Sequence, residues 1–257
     1  MAGWGHWRPP ISWFPGHMAK ASRQVKEKIR HCEVVIEIRD ARIPISSINH
    51  SFDSLLENKR KLTIYNKIDL ADSRATQILK THHENINSPA LFISAAGFGG
   101  KNNVSKVVDW LKKEAHARFK TAGALVMVAG MPNVGKSTLI NTLAAISLKN
   151  KDGKKLESSS WLLNSAKKRA KVGDYPGVTR SLSSIIVNRN PLVRMLDTPG
   201  IMIPKIENME IGLRLALTGA IRDEVVGVEV LVEFLIDILR KKGRIQHFSK
   251  IIITDSL

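Results

Sequence analysis

The chain has 257 residues, of which 40 are Lys or Arg and 23 are Asp or Glu, so its formal net charge is 40 − 23 = +17. A hydrophobic fraction of 43% and a charged fraction of 25% exclude a mainly disordered chain. The single cysteine, Cys32, excludes an internal disulfide and a cysteine-based metal cluster. No stretch approaches the roughly 20 apolar residues of a membrane-spanning helix. The positive charge therefore serves solubility alone or attracts a polyanion, either nucleic acid or an anionic membrane surface.

The predicted elements alternate between short β-branched runs and helix-compatible stretches. This alternation predicts an α/β fold with a mainly parallel sheet and helices on both faces. A turn at Asn188–Pro191 between two apolar runs predicts a hairpin. The predicted strands are Val34–Arg39, Leu62–Tyr65, Leu91–Ile93, Ala124–Ala129, Ser183–Val187 and Leu192–Leu196, and the predicted helices are Ser51–Asn58, Arg74–His83, Val104–Phe119 and Lys136–Leu148.

Changes in composition divide the chain into three parts. Residues 1–30 form an N-terminal basic segment, in which Arg23, Lys26, Lys28 and Arg30 cluster. Residues 31–206 form the α/β domain, with a basic loop inserted at 149–171. From 207 to 257, apolar residues recur at helical intervals and predict a small helical appendage. The first 26 residues lack acids, as organelle presequences do, but their tryptophans and prolines make a poor amphipathic helix, so composition leaves targeting open.

The segment Gly130–Ser137 matches the pattern G-x-x-x-x-G-K-[ST] and lies between a predicted strand and a predicted helix. In this motif, backbone amides surround phosphate oxygens, Lys136 reaches the β- and γ-phosphates, and Ser137 ligates Mg²⁺. The alternative is a glycine-rich turn without a ligand. The sequence thus predicts a nucleotide-binding P-loop, with the binding residues Asn133, Val134, Gly135, Lys136, Ser137 and Thr138.

Two downstream segments are candidates for switch elements. Asp197–Gly200 has the pattern D-x-x-G after a predicted strand, so Asp197 can hold Mg²⁺ through water and Gly200 can donate its amide to a γ-phosphate. Thr179 is the candidate threonine of a switch loop that ligates the same ion. The alternatives are an ordinary turn and a loop threonine without a metal role. The predicted magnesium set is therefore Ser137, Thr179 and Asp197.

The tetrapeptide Asn66–Asp69 follows a predicted strand and has the composition of a guanine-reading loop. The carboxylate of Asp69 can accept two hydrogen bonds, from N1–H and the 2-amino group of guanine, whereas adenine lacks this pair of donors. Asn66 and Lys67 would brace the loop and cover the base. Ser94 and Ala95, after the next strand, can offer a backbone contact to guanine O6. The alternative is an ordinary strand-to-helix turn with a capping aspartate.

Together these motifs resemble the GTPase set, and their order, with the base-reading elements before the P-loop, resembles that of a circularly permuted GTPase. Two further segments, Trp13–Lys20 and Asp40–Pro44, resemble signatures of the YlqF/RbgA family. That family comprises circularly permuted GTPases that act in assembly of the large ribosomal subunit in bacteria and, through relatives, in mitochondria. The resemblance covers roughly Ile11 to Gly243. It implies a P-loop GTPase domain, GTP hydrolysis with Mg²⁺, and a large-subunit precursor as partner.

The resemblance also implies two residue roles. A glutamine that orients the attacking water is absent after Gly200, where Ile201 and Met202 follow. The family suggests that His17 takes this role; the alternative is a histidine that caps or packs in the N-terminal segment. Asn133 resembles the asparagine that permits K⁺ binding in potassium-activated GTPases; the alternative is a loop residue suited to its backbone conformation.

Three functions are compatible with these observations. The first is a GTPase stimulated by the ribosome that binds rRNA and acts with other assembly factors. The second is a GTP-controlled clamp on rRNA with incidental hydrolysis. The third, a P-loop small-molecule kinase, is disfavoured by the guanine signature. The acid-free start, the basic insert and the organellar branch of the family favour the mitochondrial matrix; a bacterial cytoplasm and a plastid are the alternatives.

Overall fold

The computed structural model of the chain describes residues 23–50, 53–96, 100–116, 123–147, 183–200, 206 and 208–243. The N-terminal segment up to residue 22 and the basic insert lie outside the described residues. Within the described residues, the strands are β1 (Val34–Asp40), β2 (Arg60–Asn66), β3 (Ala90–Phe92), β4 (Ala124–Gly130), β5 (Ser183–Arg189) and β6 (Leu192–Asp197). The helices are α1 (23–28), α2 (Asp53–Leu56), α3 (Ser73–Asn85), α4 (Gly100–Glu114), α5 (Lys136–Ser147), α6 (Met209–Leu217), α7 (Asp223–Val226) and α8 (Val228–Lys241).

The six strands form one sheet in the order β3-β2-β1-β4-β6-β5. Every neighbouring pair is parallel except the β5–β6 hairpin, which is antiparallel. The mainly parallel sheet and the hairpin are therefore confirmed. The strands β1, β2 and β3 form one half of the sheet, and β4, β5 and β6 form the other half. The two halves meet at the β1–β4 pair, and ligands of open α/β sheets bind at the carboxyl edge of such a junction.

The core lies on both faces of the sheet, as expected for buried parallel strands. On one face, Ile36 and Ile38 of β1 belong to a buried cluster with side chains of α4 and α5. On the other face, Val35 belongs to a second cluster with Val25 of α1 and Ile29, which follows it. Successive side chains of β1 point to opposite faces of the sheet, and both faces are covered. Nearly all side chains of β1 are therefore buried.

The described residues after 207 form three helices, in the part of the chain where a helical segment is predicted. Asn208 caps α6, since its side chain accepts a hydrogen bond from the amide of Glu210. Leu213 of α6 and Phe234 of α8 belong to the same buried cluster as the strands of the α/β domain. The helices are thus packed into the main core, and the boundary at 207 stays a prediction. No described helix is long and apolar enough to span a membrane.

Two predicted helices differ in extent from the structure. The helix predicted over Ser51–Asn58 is a single turn, Asp53–Leu56. The helix predicted over Val104–Phe119 begins at Gly100 and ends at Glu114. The first turn of this helix carries no apolar residue. The apolar periodicity therefore begins at Val104 and predicts the start of the helix one turn too late.

Candidate functional site

Asn66, at the carboxyl end of β2, joins the two loops on which nucleotide binding would depend. Its side chain is buried, donates to the carbonyl of Val134 at 2.8 Å and accepts from the amide of Ala95 at 2.9 Å. Gly135 has a φ of 97°, and a Cβ there would collide with the Asn66 amide. A glycine is therefore required where the P-loop meets the base-reading loop.

Lys67 follows in the left-handed conformation, with a φ of 64°. Its ammonium donates to the carbonyl of Asn133 at 2.6 Å and pairs with Asp40 at 3.0 Å. Burial lowers the pKa of Lys67, and the nearby Asp40 carboxylate opposes this shift. Asp69 lies exposed on the 3₁₀ turn Ile68–Leu70 that follows. The loop thus holds its lysine against the P-loop and leaves the carboxylate of Asp69 open to solvent.

The lysine of the P-loop lies folded back on its own loop. Lys136 is buried and donates to the carbonyls of Met131 at 2.7 Å and Gly130 at 3.3 Å. Burial lowers the pKa of its ammonium to about 8, while the nearby Asp197 carboxylate opposes the shift. These carbonyls take the place of the phosphate oxygens that the ammonium is expected to bind when nucleotide is present.

Ser137 and Asp197 form the candidate magnesium site. The Ser137 hydroxyl donates to Oδ2 of Asp197 at 2.8 Å, and Asp197 is fully buried. Among the described residues, Oδ1 of Asp197 is a buried oxygen without a hydrogen-bond partner. Burial raises the pKa of this carboxyl group, which the Ser137 hydrogen bond opposes. A hydroxyl beside a carboxylate with an unused oxygen fits the hard-oxygen preference of Mg²⁺.

A second layer of contacts, which the sequence did not predict, ties the site to the last helices. The Arg42 guanidinium binds both oxygens of buried Asp40, at 2.9 and 2.7 Å, and donates to the carbonyl of Thr218 at 3.3 Å. The Asn133 side chain donates to the carbonyl of Gly219 at 2.7 Å. Burial opposes ionisation of Asp40, yet Arg42 and Lys67 lower the pKa of this carboxyl group. Asp40 and Arg42 belong to a family signature, but no local pattern singles out Thr218 or Gly219.

The structure brings most of the predicted site residues to one edge of the sheet. Gly200 packs so closely that a Cβ there would lie 2.6 Å from the Cα of Pro132. His17, Thr179, Ile201 and Met202 lie outside the described residues. The residues at the carboxyl edge are Asn66, Lys67, Asp69, Ser94, Ala95, Asn133, Val134, Gly135, Lys136, Ser137, Thr138, Asp197 and Gly200.

Among the described residues, Cys32 and His83 do not form a competing site. Cys32 is buried, and burial raises the pKa of its thiol to about 12, so it is not a nucleophile. His83 is within hydrogen-bond distance of the Tyr65 hydroxyl at 3.0 Å. The described parts of the chain contain no group of three or more potential metal ligands among His, Cys, Asp and Glu.

Comparison with known proteins agrees with this geometry. Residues 125–253 match the family model described as 50S ribosome-binding GTPase. Ribosome biogenesis GTPase A of Bacillus pumilus is 39% identical over 224 residues, covering 85% of this chain and 71% of the relative. The chain belongs to this GTPase family, in its RbgA/YlqF-type circularly permuted branch. It is a GTP hydrolase by class, and the family uses GTP and typically Mg²⁺.

Two curated mitochondrial proteins are also similar. Mitochondrial ribosome-associated GTPase 1 of Mus musculus is 38% identical over 244 residues, covering 92% of this chain and 70% of the relative. Short integuments 2, mitochondrial, of Arabidopsis thaliana is 36% identical over 245 residues, covering 94% of this chain. This chain spans only 60% of the length of the plant protein.

The solved structure of GNP-bound YlqF from T. maritima matches with a TM-score of 0.59 at 25% identity. The match covers 87% of this chain and 76% of the YlqF chain. The expected fold class, a circularly permuted P-loop GTPase domain, is confirmed.

Proposed function

We propose that this chain hydrolyses GTP to GDP and phosphate during assembly of the large ribosomal subunit, in the mitochondrial matrix. The observation that carries the GTP site is the Asn66 junction, where one buried hydrogen bond joins the base-reading loop to Val134 of the P-loop and a second joins it to Ala95. The ribosomal partner is supported by the names of the relatives, and the mitochondrial location by the two mitochondrial proteins among them. The net charge of +17 supports binding to rRNA in that particle, beside other assembly factors.

In this proposal, guanine lies over the base-reading loop. Asp69 accepts from N1–H and the 2-amino group, and the backbone of Ser94 and Ala95 contacts O6. Lys67 covers the base while its ammonium keeps the P-loop carbonyl at 2.6 Å. Asp69 is exposed, so its carboxylate is open to the base.

The phosphates would occupy the P-loop, bound by backbone amides from Asn133 to Thr138. Lys136 would exchange its two loop carbonyls for phosphate oxygens. Their negative charge would stabilise the protonated form of this side chain, whose pKa burial lowers. Ser137, Asp197 and Thr179 would hold Mg²⁺, which stabilises the negative charge that develops in phosphoryl transfer. Gly200 donates its amide to the γ-phosphate.

A change of base specificity tests the guanine site. The substitution Asp69→Asn places an amide donor where the carboxylate accepted hydrogen bonds. The loop should therefore favour xanthine, whose 2-oxo group accepts a hydrogen bond. We expect the affinity for GTP to fall about 100-fold and the affinity for XTP to rise, measured by equilibrium titration with both nucleotides. Glu84→Ala, an exposed change on α3, serves as the control. GTP binding that Asp69→Asn leaves unaltered would remove this loop from the proposal.

We place His17 in the role of water-orienting residue. Val25 of α1 belongs to the same buried cluster as Ala129 and Leu196, which lie near the carboxyl ends of β4 and β6. His17 precedes Arg23 by 23 − 17 = 6 residues, and six residues of extended chain reach roughly 20 Å. A reach of this length supports a position of His17 near the γ-phosphate.

We expect His17→Ala to leave GTP binding intact and to abolish the turnover stimulated by large-subunit precursors. Single-turnover hydrolysis with and without these particles measures the effect, and His31→Ala, an exposed change after α1, is the matched control. Equal stimulation of His17→Ala and the unaltered chain excludes His17 from the mechanism. The absence of any stimulation in the unaltered chain would instead point to a clamp with incidental hydrolysis.

Asn133 is proposed to support a K⁺ ion beside the phosphates. Its φ of 57° places it in the left-handed conformation within the P-loop, and its side-chain amide donates to the carbonyl of Gly219. A cation there would stabilise the charge that develops on the phosphates. We therefore expect faster hydrolysis in KCl than in NaCl at equal ionic strength, and Asn133→Ala should remove the difference. Equal rates in both salts would leave no role for K⁺.

A further inference from the structure

The helix α8 carries two separate apolar surfaces. Leu231 and Phe234 are buried in the main core. Val228, Val232 and Leu235 are exposed, with 56%, 48% and 36% of their surface accessible. Their spacing of four and three residues aligns them along one side of the helix. We call these three residues the α8 stripe. A row of exposed apolar side chains on a helix is typical of an interaction surface.

The α8 stripe lies in the most acidic part of a strongly basic protein. Residues 222–239 contain five acids and one base, a net charge of 1 − 5 = −4, whereas the whole chain carries +17. Arg240, Lys241 and Lys242 follow at the far end of the helix, beyond the stripe. Glu229 and Glu233 are exposed and each follows a residue of the stripe by one position, so they form a parallel acidic row. Asp237 continues this row and pairs with Lys241 at 2.8 Å.

The exposed apolar stripe and the acidic row together indicate which kind of partner could bind here. Phosphate groups of RNA would be repelled by the acidic row and would gain nothing from the apolar stripe. A second copy of the same helix would bring acidic rows together. A helix with one apolar face and flanking Lys or Arg residues matches both features, because its apolar side chains cover the stripe and its cations face Glu229 and Glu233.

We propose that the α8 stripe and its acidic row form a docking surface for a cationic amphipathic helix of a protein partner. The surface is independent of the nucleotide site, so the inference stands apart from the proposed GTP hydrolysis. It assigns protein binding to this surface, whereas the RNA binding proposed above rests on basic residues elsewhere in the chain.

A synthetic peptide tests the docking surface directly. The probe is a fluorescent 18-residue peptide of leucine and lysine, with leucines at helical spacing, titrated with the full chain and followed by anisotropy. We expect saturable binding that weakens with added KCl. Val232→Asp should weaken binding at least 10-fold, and so should the double change Glu229→Lys with Glu233→Lys. Ile78→Asp, at an apolar residue of α3 that is 70% exposed, is the matched control and should bind normally.

Basal GTP hydrolysis, measured on every variant, reports folding and should be unchanged. The proposal is overturned if the full chain does not bind the peptide, as when residues 244–257 or a second copy cover the stripe. It is also overturned if Val232→Asp binds as tightly as Ile78→Asp, or if a peptide with glutamate in place of lysine binds equally well. Binding of an rRNA fragment that Val232→Asp alone abolishes would assign the surface to RNA instead.

Discussion

Two buried charged residues, Lys136 and Asp197, dominate the nucleotide-free site. Burial lowers the pKa of Lys136 and raises the pKa of Asp197, so both environments oppose the charged forms. Magnesium and phosphate would supply the opposite charges and remove both penalties. Such a site is poorly stable when empty and is stabilised by its ligand, because a ligand that binds only the folded state shifts the unfolding equilibrium.

Asp197→Asn should therefore stabilise the nucleotide-free protein while it abolishes Mg²⁺-dependent hydrolysis. The raised pKa means that the folded state holds the proton more tightly than the unfolded state, so stability is lost as pH rises above the ordinary carboxyl pKa of about 4. Asparagine does not ionise, but it also no longer offsets the buried charge of Lys136, so we expect a net gain of at most about 1 kcal/mol at pH 7.5. The gain should vanish below pH 4.

Thermal unfolding of the unaltered chain and the variant at pH 7.5 and pH 4 measures this difference. Hydrolysis should fall by about 100-fold across a Mg²⁺ titration. The account fails if the variant is less stable at pH 7.5, or if it keeps its Mg²⁺ response.

The strands were the most predictable elements. The β-branched run predicted as Val34–Arg39 is the strand Val34–Asp40, and the run Ala124–Ala129 is the strand Ala124–Gly130. Buried parallel strands require apolar side chains on both faces, so their composition alone marks them. Helix ends were less predictable, because a polar first turn such as that of α4 shows no periodicity.

Contacts between distant elements could not be predicted from local patterns. Motifs reveal the P-loop and the guanine loop, since each motif is contiguous in the chain. The contact of Arg42 with Thr218 joins residues 176 positions apart, and the acceptor is a backbone carbonyl that any residue provides. Only the packing of α6 against the main core brings this carbonyl to the site.

At the scale of the whole molecule, the positive charge should dominate binding to RNA. Arg23 and Lys26 on α1, and Arg30 just after it, are exposed, whereas Val25 and Ile29 are buried. Replacing Lys26→Ala and Arg30→Ala together should weaken binding to an rRNA fragment and lower the slope of log K against log[KCl] by about 1 to 2.

Filter binding at several KCl concentrations measures the slope. Lys112→Ala with Lys113→Ala, two exposed residues at the end of α4, is the matched control. Identical slopes for the two double variants would mean that α1 does not contact the RNA backbone.

The strand order has a consequence for biosynthesis. One edge of β1 pairs with β4, which begins 124 − 40 = 84 residues after β1 ends. At a translation rate of about 5 to 20 residues per second, that edge waits roughly 4 to 17 s for its neighbour. An unpaired strand edge can join another nascent chain. Slow elongation between these two strands should therefore increase aggregation of the newborn polypeptide, and chaperone capture during this interval should reduce it.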